Sequence, residues 1–129
     1  MDKELQRRGE AVRRQVLGDE YVDNALKNAG DFAAPFQELL NEYCWGQCWT
    51  DDALTLKQRS LLNLGMLAAL GRMHEFQIHF RGAIRNGLTD EELRAVLIQI
   101  AVYCGVPAGV ECFRIARTAR AEMAAEARG

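Results

Sequence analysis

Proline and histidine are scarce: the chain has two of each, Pro35, Pro107, His74 and His79. With so few prolines, long stretches can be helical. Neither histidine is close to a cysteine in sequence, so a zinc site has no support and no metal is expected. Cys44, Cys48, Cys104 and Cys112 include no Cys-x-x-Cys pair, although Cys44/Cys48 and Cys104/Cys112 would each share a face on a helix. A disulfide framework fits badly with a chain able to build a core, and the four read as packed, reduced thiols. An excess of charge of one sign is also missing. A net charge of -2 and a pI near 5.7 argue against a nucleic-acid partner. The most apolar run, Leu61 to Leu70, is ten residues long and interrupted by Asn63. About 20 such residues are needed to span a bilayer, so the run reads as a buried core helix with no membrane partner. The start, MDKELQRRGE, mixes charges of both signs and has no apolar segment, unlike a signal peptide. The expected compartment is the cytoplasm.

Helix formers dominate what remains, and strand-like runs are few. The 129 residues, 49% of them hydrophobic, suit one domain over 1–129, with no linker or repeat. Lys3 to Leu17 reads as a first helix closed by Gly18 in the left-handed conformation. A shorter helix follows from Glu20 to Ala29 and ends at Gly30. Asp31 caps a third, with Pro35 near its first turn and Phe36, Leu39, Leu40 and Tyr43 inward. Thr55 with Gln58 makes a capping box before Leu56 to Leu70, which is apolar on nearly every side and therefore buried all round or placed at a subunit interface. After Gly71 a helix runs to Asn86-Gly87. Thr89 with Glu92 opens another, Asp90 to Cys104, and Pro107 starts a last one after Gly105.

The helix over 72–86 brings polar residues together. At 3.6 residues per turn, Arg72, Glu75 and His79 lie on one side, with Asn86 near the same line and Phe76, Phe80, Ala83 and Ile84 alongside. That spacing lets Glu75 reach His79, fix its tautomer and raise its pKa, so that the ring holds a proton for donation near neutral pH. Arg72 can bind a carboxylate with both arms of its fork. The same spacing also describes an ordinary surface ion pair. Trp45 and Trp49 share a helical face, as core or as a binding box, and Arg59 is either a substrate anchor or a solvated first-turn residue.

Several strings together resemble the carboxymuconolactone decarboxylase family: Trp45-Gly46-x-x-Trp49, Arg59-Ser60-Leu61-Leu62, Glu75-x-x-x-His79-x-Arg81-x-Ala83-x-x-Asn86-Gly87, and Gln99-x-Ala101-x-Tyr103-Cys104-Gly105-Val106-Pro107-Ala108. The resemblance implies an all-α, alkylhydroperoxidase-D-like fold of about six to seven helices. It also implies a homo-oligomer, hexamer or trimer. The implied activity is that of a carboxy-lyase acting on a small carboxylated lactone without cofactor: 4-carboxymuconolactone becomes β-ketoadipate enol-lactone and CO2 in protocatechuate breakdown. The peroxidase branch of this superfamily carries a Cys-x-x-Cys pair where this chain has Arg72 and Glu75, which disfavours thiol peroxidase chemistry there. Two departures stand out. Thr50-Asp51-Asp52-Ala53 replaces a usual Arg-Pro-Gly stretch, and Gly71 replaces a usual Asn. They leave room for a different lactone or acid, and the cysteines leave a redox protein as a rival reading.

On this reading His79, oriented by Glu75, is the general acid. Arg72 or Arg81 holds the substrate carboxylate or the developing oxyanion, Arg59 is a further anchor, and Trp45, Phe76 and Tyr103 form an apolar wall beside the departing CO2.

Overall fold

The computed structural model describes residues 2–129; Met1, where the expected domain begins, lies outside the described residues. Six α-helices and one π-helical segment are present among the described residues, and no strand. They are α1 (Lys3–Leu17), α2 (Asp19–Leu39), the π-helical segment Leu40–Trp49, α3 (Leu56–Leu70), α4 (Met73–Arg85), α5 (Asp90–Cys104) and α6 (Val106–Arg128). The chain divides into two compact units, the first ending at Leu56 and the second spanning Lys57–Gly129.

In the first unit, the Asp2 carboxylate caps α1 by accepting the Leu5 N–H. Gly18 ends the helix with φ 89 and ψ 147, an extended glycine conformation rather than the expected left-handed one, and α2 starts at once. Gly30, at φ 56 and ψ -162, kinks α2, so the two expected helices form one bent element. Phe36, Leu39 and Tyr43 are exposed, not inward. The reason is a close helix crossing. A Cβ on Gly9 would lie 1.9 Å from the Asn41 carbonyl oxygen and 2.6 Å from the Gly46 nitrogen. This contact turns Asn41, Trp45, Gly46 and Trp49 toward α1, and the other side of the segment faces out. Arg13 is buried as well: its Nη1 donates to Gln37 Oε1 at 2.8 Å and to Asn41 Oδ1 at 3.1 Å.

The second unit holds a core of Leu64, Ala68, Phe76, Phe80, Leu93, Leu97, Ile100, Cys112 and Ile115, among others. The capping box at Thr89 forms as expected: Thr89 Oγ1 accepts from the Glu92 N–H, and Glu92 accepts from the Thr89 N–H. Pro107 sits in the first turn of α6. α5 and α6 approach so closely that a Cβ on Gly109 would lie 2.5 Å from Ala101 Cβ. α3 is not buried all round: Leu64 and Ala68 face the core, whereas Leu62, Met66 and Leu70 are exposed. Cys112 is packed as expected, but Cys48 and Cys104 are exposed. No helix among the described residues is long and apolar enough to cross a membrane.

Candidate active site

Asn63 is the polar exception within the apolar sequence of α3, and its amide faces α4. Its Nδ2 lies 3.4 Å from Nδ1 of His79. On the adjacent turn of α3, Ser60 is fully buried, and its hydroxyl accepts a hydrogen bond from Asn86 Nδ2 at 2.8 Å. Two polar rungs therefore tie α3 to α4 and its C-terminal cap. Arg59, half-buried, precedes Asn63 by four residues and so lies on the same side of α3.

His79 is half-buried, and loss of water dominates its electrostatics. Burial pushes the imidazole down to about 4, and the opposing pull of the Glu75 carboxylate is smaller. The expected upward shift is thus reversed. At neutral pH the ring is uncharged and offers one N–H and one lone pair, not a spare proton.

The expected Arg72–Glu75–His79 cluster is only partly assembled. Arg72 is the residue before α4, with φ -89 and ψ 73, rather than a member of the helix. Its Nε lies 3.4 Å from Glu75 Oε1, and the Arg72 side chain is 66% exposed. Arg81 points elsewhere: its guanidinium donates to Glu122 at 3.2 Å and to Glu126 at 2.6 Å, both on α6. Two residues along a helix amount to more than half a turn, so Arg81 and His79 occupy opposite sides of α4. Phe76 is fully buried, with its ring centroid 6.2 Å from that of Phe80, which makes it core rather than a wall of an open site. Tyr103 is 83% exposed at the end of α5. Trp45, in the first unit, is buried and stacked on Trp49 at 4.8 Å.

Ser60 and Asn63 were not singled out from sequence as site residues. The available signal was Asn63 itself, since an amide inside an apolar run must find a partner when buried.

The model of the carboxymuconolactone decarboxylase family matches residues 34–118. This match covers most of the chain and includes both rungs. The chain belongs to the carboxymuconolactone decarboxylase family. It is 48% identical over 112 residues to the nitrosuccinic acid decarboxylase npaB of Metarhizium robertsii, covering 84% of this chain and 78% of that protein. It is 36% identical over 107 residues to the 4-carboxymuconolactone decarboxylase of Acinetobacter baylyi, covering 83% of this chain and 80% of that protein. Within the family it is a decarboxylase, a carboxy-lyase. The α3–α4 hairpin of this family member carries the polar groups described above.

Proposed function

We infer that this chain decarboxylates a small nitro-substituted dicarboxylic acid of the nitrosuccinate type. The observation that carries this reading is the 48% identity to the fungal nitrosuccinic acid decarboxylase, against 36% to the bacterial 4-carboxymuconolactone enzyme. Thr50-Asp51-Asp52-Ala53, in place of the Arg-Pro-Gly stretch that the family resemblance implies, leaves room for an acid other than the lactone. The second reading is 4-carboxymuconolactone itself, supported by the Trp45-Gly46-x-x-Trp49 and Glu75-x-x-x-His79 strings.

The two substrates pose one chemical problem. A carboxylate leaves as CO2, and its bonding electrons must be accommodated. In nitrosuccinate they enter the nitro group and give a nitronate; in the lactone they run through the ring to the carbonyl and give an enolate. In both, negative charge moves onto oxygen, a second carboxylate remains, and the carbon takes up a proton from water after CO2 departs.

A neutral imidazole suits the oxygen. His79 donates its N–H to the developing oxyanion, a role that a low imidazole pKa favours because the ring gives a hydrogen bond without becoming charged. The same withdrawal from water raises the energy of the departing carboxylate relative to neutral CO2. Arg59 anchors the carboxylate that stays.

The test is direct. With both acids supplied separately, CO2 release above the enzyme-free rate and NMR of the product should show a kcat/KM at least about tenfold higher for nitrosuccinate. The reverse order would favour the lactone reading. His79→Ala should lower kcat by about 10²–10³. A folded variant with unchanged kcat removes His79 from the chemistry.

A further inference from the structure

We propose that Asn63 is a positioning residue that fixes the tautomer of His79, holding the ring hydrogen on Nε2. This deepens the reading above and rests on it for its catalytic meaning. Asn63 Nδ2 carries hydrogens and lies 3.4 Å from His79 Nδ1. A donor at that position requires a lone pair on Nδ1, and a neutral ring with a lone pair on Nδ1 bears its hydrogen on Nε2.

Asn63 is suited to the task by its surroundings. It lies among leucines on α3, between the buried Ser60 and the buried Leu64. The Ser60–Asn86 hydrogen bond, at 2.8 Å, pins the hairpin on the adjacent turn, which limits sliding of α3 along α4 and keeps the amide opposite the ring. The uncharged amide adds no charge beside the imidazole. An aspartate there would accept from Nδ1–H and move the hydrogen to the wrong nitrogen or draw in a second proton. Asparagine thus selects which nitrogen is protonated, while burial keeps the ring uncharged.

The chain has two histidines, so the experiment is clean. In protein labelled with 15N-histidine at pH 7, long-range proton–nitrogen correlation spectra distinguish a protonated ring nitrogen from a bare one. A His74→Gln variant assigns the remaining signal set to His79. The expected wild-type spectrum has a bare Nδ1 and a protonated Nε2. Asn63→Leu should give a mixture of tautomers, and Asn63→Asp should protonate Nδ1. In Asn63→Asp kcat should fall about 10–100-fold with KM changed little, and in Asn63→Leu it should fall in proportion to the Nε2–H fraction that the spectrum shows lost.

A protonated Nδ1 in the wild type would overturn the proposal, and needs no variant to fold. So would an Asn63→Leu spectrum identical to the wild type. The outcome is separable from that of the functional reading: if His79→Ala kept full activity, the spectra would still decide whether Asn63 sets the tautomer, while its link to catalysis would be lost.

Discussion

His79 shows what removing a titratable group from water does to a protein. Its pKa is about 4 in the folded chain and about 6.5 when unfolded. A depressed imidazole means that the unfolded chain binds the proton more readily. Stability is therefore unaffected by this group above about pH 6.5, falls as pH drops toward 4, and changes no further below that. The shift corresponds to a loss of about 3 kcal/mol across that window. Urea titrations at several pH values should show a steeper loss between about pH 6.5 and 4 in the wild type than in His79→Gln, since Asp90, Glu92 and Glu111, held low by their partners, contribute to both; equal slopes would mean that the ring is better hydrated than its setting implies. The Arg72–Glu75 pair, at 3.4 Å and with both side chains exposed, should by contrast leave stability nearly unchanged when either partner is removed.

At the level of elements, glycine positions decide how tightly helices cross. Gly9 on α1 meets the backbone of the π-helical segment, the Asn41 oxygen above all, and backbone cannot step aside as a long side chain can. Gly9→Ala should therefore lower stability by about 1–3 kcal/mol, as overpacking does elsewhere. Gly65 on α3 has nothing within 4 Å of where its Cβ would be, so Gly65→Ala should raise stability by about 0.5–1 kcal/mol through better helix propensity. Thermal unfolding of the two variants should move in opposite directions; a neutral Gly9→Ala would show that α1 can shift away from the segment. Helix boundaries were legible at this scale because they rest on local chemistry. The Thr89–Glu92 box and Pro107 act within one turn of where they stand in the sequence.

Over the whole molecule, large apolar side chains remain in contact with water. Phe32 is 99% exposed and is followed by exposed Phe36, Leu39 and Tyr43. In the second unit Ile98, Val102, Val106 and Val110 are exposed at a spacing of four. Stretches of this kind mark association surfaces. We propose that the chain self-associates through them. Light scattering behind size exclusion should return a multiple of 14.5 kDa, reduced by Phe32→Glu or Phe36→Glu. A monodisperse monomer at micromolar concentration would defeat the proposal.

The amino-acid sequence alone determined the helical class, the ends of α1 and α5, the C-terminal end of α4, the break at Gly30 and the family, because caps, glycines and motif strings act locally or by identity. Tertiary structure decided the sign of the His79 shift, since desolvation depends on what other helices cover the ring, whereas the Glu75 spacing reports only the weaker, opposing charge. It also decided that Arg81 serves α6 rather than the His79 side, and that Asn63 stands within reach of the imidazole. Periodicity along one helix says which residues share a face, but only packing against a second helix says what that face meets.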